Sequence, residues 1–239
     1  PWQYNAPRML ESGLRVEQIK NDIKNKVLRP NKFLCFNRNN HAHRAYLVDR
    51  IYELGLEKES IITYSGLGNN TVFWKEHMFL KNSSYDIKDL SFNKPESNFI
   101  NINFEAHLSS YINIVTESYF DKDYNKTIFF NEKTFKPIQC LQPFLLVGQA
   151  HSLKVLKRMG YKTFNSFIDE SYDDIINPVD RLEAIIKQLI KINDMSKEQL
   201  SDWLYCMLPI LEHNFQNHVK LVYEQHDGTA LINKIIERW

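Results

Sequence analysis

Cysteine, glycine and proline are all scarce in this chain of 239 residues, at three, seven and eight. Cys35, Cys140 and Cys206 are odd in number, widely spaced and set in apolar runs. Neither a disulfide framework nor a CxxC metal pair is available, and all three are expected to be buried free thiols in a reducing compartment. No apolar run approaches the roughly 18 residues of a membrane span, and the first residues carry neither a basic n-region nor an apolar h-region. A cytoplasmic protein without a membrane span is the expectation. An excess of charge is also lacking: 30 Lys and Arg against 29 Asp and Glu leave +1. Nothing global then draws the chain to a polyanion, so any anion site must be local. The chain begins at Pro1 rather than Met, which suggests a segment of a longer protein.

What is present is the profile of a packed domain, 43% hydrophobic and 25% charged, long enough to bury a full core. Residues 14–28 read as an amphipathic helix carrying Leu14, Ile19, Ile23 and Val27, stopped by Pro30. The short apolar run 32–36 reads as a buried strand, and 37–40 as its turn. From His41 to Leu54, Leu47, Ile51 and Leu54 share a helical face, closed by Gly55. Residues 61–64 give the next strand, so strand, helix and strand follow in the order of a parallel sheet. Residues 67–108 show no sustained period and read as loops and short elements. Alternation returns at 111–116, followed by Glu117, Ser118 and a polar loop at 121–126. Asn131 caps a helix from Glu132 to about Leu141 with Pro137 inside it. Residues 143–147 and 161–164 read as strands on either side of a short helix at 152–159.

The chain then turns helical. Asn177-Pro178 opens a helix with the stripe Leu182, Ile185, Ile186, Leu189 and Ile190, and Ser196-x-x-Gln199 is a capping box before another containing Pro209. Asp227-Gly228 precedes a last helix ending at Trp239. Trp203 and Trp239 fall on apolar stripes and are read as packing residues. The fold class expected is α/β, a doubly wound, Rossmann-like parallel sheet with a helical C-terminal region.

In such a sheet ligands bind beyond the carboxyl ends of the strands, where helix N-termini present N–H groups and a positive dipole end. The residues following the strands are Asn37, Arg38, His41, His43 and Arg44, then Glu117 and Ser118, then Asn131, Glu132 and Lys133. Arginine and lysine suit a diphosphate, and a carboxylate suits a ribose diol, so this mixture fits a nucleoside diphosphate. Glu132 at a helix start also has a plainer explanation, stabilisation of the helix dipole. His41-Ala42-His43 invites a metal. On a helix, however, i and i+2 do not share a face and no acidic or thiol partner stands at ligand spacing, so no metal is expected.

Thr116-Glu117-Ser118, the polar loop, Asn131-Glu132-Lys133-Thr134-Phe135 and Pro143-Phe144-Leu145-Leu146-Val147-Gly148 together resemble the donor-domain signature of the fucosyltransferase-like glycosyltransferases. Phe36-Asn37-Arg38 and His43-Arg44, with the later Tyr64-Ser65-Gly66, resemble the same family's first strand and turn. The resemblance spans residues 32–165. It departs from the family pattern at Asn131, where the family has Thr, and at Ser118, where Asn is usual.

The resemblance implies a GT-B fold whose C-terminal domain holds a nucleotide sugar without metal or other cofactor. By position, Arg44 and Lys133 would neutralise the diphosphate and Glu132 would bind the ribose. Asn37, Arg38 and Asn131 would line the donor site, and Glu117 would lie near the sugar as the catalytic candidate. The family draws its general base from an N-terminal acceptor domain. Residues 1–31 would be a remnant of that domain, 32–176 the donor-binding domain and 177–239 helices packed on it. The expected reaction transfers a sugar from a nucleoside diphosphate to a hydroxyl of a glycan or other acceptor, with nucleic acid entering only as acceptor. Two rivals stay open: a viral-type DNA-base glycosyltransferase, and a non-catalytic binding module on the same scaffold.

Overall fold

The computed structural model describes residues 6–37, 41–64, 102–121 and 127–224. Helix α1 (Ala6–Lys24) leads to strand β1 (Asn31–Asn37), helix α2 (Ala42–Glu53), a short 3-10 turn (Leu56–Glu59) and strand β2 (Ser60–Tyr64). Helix α3 (Phe104–Leu108), strand β3 (Ser110–Thr116), helix α4 (Glu132–Gln139) and strand β4 (Phe144–Val147) follow. Helix α5 (Ser152–Arg158), a 3-10 turn (Ser171–Asp174) and the long helices α6 (Pro178–Asn193) and α7 (Lys197–Glu224) complete the described chain.

The four strands form one parallel sheet in the order β2-β1-β3-β4, so the protein is α/β with a Rossmann-like arrangement. From β1 the chain crosses outward to β2, and from β3 it crosses outward in the opposite direction to β4. Right-handed crossovers therefore put α2 and α4 on opposite faces. Packing agrees, because α2 meets α6 while α7 meets α1, α4 and β3. Covered on both faces, the strands are apolar almost without interruption: Leu34, Cys35, Leu145 and Val147 have no exposed surface.

Caps are where the sequence specified them. Asn131 accepts from the Lys133 N–H at 2.8 Å, and Asn177 accepts from Val179 and Asp180 ahead of Pro178. Ser196 and Gln199 exchange side-chain and backbone bonds as a capping box requires.

Four expectations need correction. The run 161–164 is not a strand. Asn214 of α7 takes both the N–H (2.7 Å) and the carbonyl (2.8 Å) of Lys162, and the Glu170 carboxylate takes the Phe164 N–H, so side chains satisfy the backbone that a ladder would have used. Val27 lies beyond the end of α1 and is half exposed rather than on its apolar face. Cys206 is exposed on α7, whereas Cys35 and Cys140 are buried; all three are free thiols. The histidines at 41 and 43 do meet, with rings stacked 5.6 Å apart, because His41 is an extended N-cap residue outside the helix to which the spacing argument applied. The helix expected after Asp227-Gly228, with Trp239, lies outside the described residues.

Candidate functional site

The sheet reverses its winding between β1 and β3, so the crevice of interest lies beyond Asn37 and Thr116. The first layer of side chains there ties the two strand ends together. Thr116 Oγ1 donates to Asn37 Oδ1 at 2.6 Å, and Asn37 Nδ2 donates to Cys35 Sγ at 3.1 Å. Both residues are buried, and Asn37, expected to line the donor site, instead clasps β1 to β3. Arg38 lies outside the described residues.

From the first turn of α2, two side chains reach the end of β3. Arg44 Nη2 donates to the Thr116 carbonyl at 2.9 Å, and His43 Nε2 lies 2.9 Å from the Glu117 carbonyl. A carbonyl can only accept, so His43 carries its proton on Nε2. Burial, with the Arg44 charge beside it, pushes the His43 imidazole down to about 3, so it is neutral. Its ring is sandwiched between His41 and Phe120, the latter 4.9 Å away. Arg44 is 1% exposed, so its charge reaches the crevice from below.

Glu117 joins β3 to α4. Each carboxylate oxygen accepts from the Asn131 N–H at 3.1 Å, and Oε1 also accepts from the Thr134 hydroxyl at 2.5 Å. The group has no exposed surface, and burial raises its pKa against those hydrogen bonds and the Lys133 charge. Expected near the sugar as the catalytic candidate, Glu117 has the geometry of a positioning residue: it fixes the start of α4, with favourable charge at the helix N-terminus. Glu132 and Lys133 follow, both partly exposed, with Lys133 Nζ 3.3 Å from Glu132 Oε1.

The charges converge. Burial lowers the partly exposed His41 imidazole, and the charges of Arg44 and Lys133 lower it further, so both cations act at the carboxyl end of the sheet although their helices cover opposite faces. Arg44 in turn feels Glu117 and Glu132. Asn131, Glu132, Lys133 and Glu117 are thus one cluster at the start of α4, with the Arg44 guanidinium, against the end of β3, in electrostatic reach of both carboxylates.

Two residues outside the sequence-based set complete it. Gln149, two residues past the end of β4 and next to Gly148, donates to the Thr127 carbonyl and accepts from the Phe129 N–H, both at 3.1 Å. Its position after a strand was the available signal. Buried Arg181 donates to the carbonyls of Phe120, Gly148, Ile175 and Ile176 and lies 4.4 Å from the Phe120 ring centroid. Burial lowers it to about 10, so it remains a cation at neutral pH. Within a helical turn nothing marked it.

A cavity of about 370 Å³ lies between α6 and the turn before it, lined by Asp169, Tyr172, Lys187 and Lys191 among others. None of its lining residues belongs to the crevice cluster. Among the described residues no group of three His, Cys, Asp or Glu side chains is placed to hold a metal, and no helix is long and apolar enough to cross a membrane.

Fold and site together define a parallel α/β protein with a charged crevice at its switch point. No protein-family model matches the chain, and no curated protein or solved structure matches it.

Proposed function

We propose that this chain is the nucleotide-sugar-binding part of a metal-independent GT-B glycosyltransferase, acting from a nucleoside-diphosphate sugar onto a hydroxyl acceptor. In this reading residues 32–176 hold the donor and 177–239 buttress them. The observation that supports the reading is the placement of Arg44 against the end of β3 and of the Glu132–Lys133 pair at the start of α4, both beyond the carboxyl ends of the strands where the sheet reverses. The Glu132–Lys133 pair is exposed enough to exchange partners. The carboxylate would turn to the ribose hydroxyls and the ammonium to the diphosphate, with Arg44 adding positive potential from beneath. Glu117 and Asn131 hold the start of α4 so that both side chains are presented together.

Calorimetric titration with UDP, GDP, ADP and CMP is the direct test. At least one should bind, and Lys133→Ala should weaken it by about 1.5–3 kcal/mol, the range for a hydrogen bond to a charged group. The melting temperature should hardly move, since Lys133 is partly exposed. Absence of binding by all four nucleotides, or indifference to Lys133→Ala, would remove the assignment. A non-catalytic binding module is the second reading. It draws support from the balance of two cations by two carboxylates in the crevice, and would show nucleotide binding without sugar transfer.

A further inference from the structure

Two large aromatic side chains stand exposed beside the crevice, Tyr119 at 38% and Phe129 at 41%, with ring centroids 5.1 Å apart and planes inclined at 45°. They are held there by buried polar groups. Residues 127–131 are pinned on one side by Gln149, which takes the Thr127 carbonyl and the Phe129 N–H. On the other side Glu117 takes the Asn131 N–H, and Asn131 Nδ2 donates to Ser118 Oγ at 3.4 Å. Segments 117–119 and 129–131 therefore run side by side, with their aromatic residues paired at the outer end and the charged start of α4 at the inner end. Exposing apolar rings to water is unfavourable at about 25 cal/mol per Å². Here the backbone that carries Phe129 is fixed by side chains without exposed surface to spare, so the exposure belongs to a defined conformation.

We propose that the nucleobase of a bound nucleoside diphosphate stacks on the Phe129 ring, with Tyr119, inclined to it at 45°, closing the side of that face. This inference rests on the reading of residues 131–133 as the ribose and diphosphate end. The order of chemistry along the strap matches the ligand: an apolar ring at 129, a carboxylate at 132 and a cation at 133. Phe129 and Glu132 are at most about 11 Å apart along the chain, within the reach of one nucleoside whose base lies on the ring and whose ribose meets the carboxylate. Aromatic stacking accepts any base because every base has a π-face, so this face supplies affinity and leaves the choice of base to hydrogen bonds at its edges.

Titrations of nucleoside diphosphate, of inorganic pyrophosphate and of a single-stranded oligonucleotide into the wild type, Phe129→Ala, Phe129→Tyr and Tyr119→Ala test the proposal. Phe129→Ala should weaken the nucleotide by about 5- to 150-fold, the loss measured when a stacked base loses its aromatic partner. Pyrophosphate should bind all four proteins alike, and Phe129→Tyr, which keeps the ring, should retain nucleotide affinity. Should Phe129→Ala fail to fold, Tyr119→Ala is read in its place. Unchanged nucleotide affinity in both alanine variants, with Lys133→Ala still weakening it, overturns this inference and leaves the assignment of the diphosphate end intact. Equal loss of pyrophosphate and nucleotide overturns it as well. So does loss restricted to a single-stranded oligonucleotide, which would make the face a nucleic-acid contact. If no nucleotide binds the wild type, both readings fall together.

Discussion

A buried carboxylate must be hydrogen-bonded or protonated, and Glu117 receives the Asn131 N–H and the Thr134 hydroxyl where α4 begins. Glu117→Gln keeps one acceptor oxygen but brings two N–H donors into a space arranged for acceptors. Stability should fall by about 1–3 kcal/mol in urea unfolding, and nucleotide affinity should fall with it as the helix start loosens. A group acting directly on the sugar would behave otherwise, losing turnover at full stability. The residue was legible in the sequence as a carboxylate at a strand end. Its engagement was not, because its partners lie 14 and 17 positions later. Arg44 shows the same limit: its place after the first strand was readable, but its burial against the Thr116 carbonyl depends on a strand 72 positions away.

Among elements, those with a local code were readable and those satisfied from a distance were not. Asn131, Asn177 and the Ser196–Gln199 box bond within their own first turns, so the helix starts were legible from neighbouring residues. The segment 161–164 carries an apolar pattern fit for a strand, yet its backbone is claimed by Asn214 and Glu170. Asn214 therefore replaces a strand neighbour. Asn214→Ala would leave the N–H and carbonyl of Lys162 without their partner, and each such loss costs about 1–3 kcal/mol when buried. The variant should melt well below the wild type, with nucleotide affinity preserved in the folded fraction. A change within about 0.5 kcal/mol, as for an ordinary surface substitution, would show that water serves Lys162 equally well.

Over the whole molecule, the buried histidines set a dependence on pH. Burial lowers His43 and His218 to about 3 and His107 to about 4, from an ordinary value of 6.5. Between those limits the unfolded chain binds more protons than the folded one, so stability must fall as pH drops below about 6.5. Each histidine contributes roughly 1.4 kcal/mol per pH unit. Glu117, Glu170 and Asp173, raised by burial, act in the opposite sense, since the folded chain takes up their protons more readily. With three imidazoles lowered to about 3 or 4, their loss prevails, and urea unfolding at pH 5 should give a smaller free energy than at pH 7. Equal or greater stability at pH 5 would contradict this. The parallel sheet was readable from the alternation of strands and helices, whereas the polar groups knitting it together were not. Among the described residues Arg181 reaches widely, drawing carbonyls from the loop after β3, the end of β4 and the approach to α6. A guanidinium is tolerated in apolar surroundings only when its acceptors arrive with it. Phe120, Gly148 and the approach to α6 are therefore expected to lose protection together in hydrogen exchange, since opening any one of them strands the guanidinium they share.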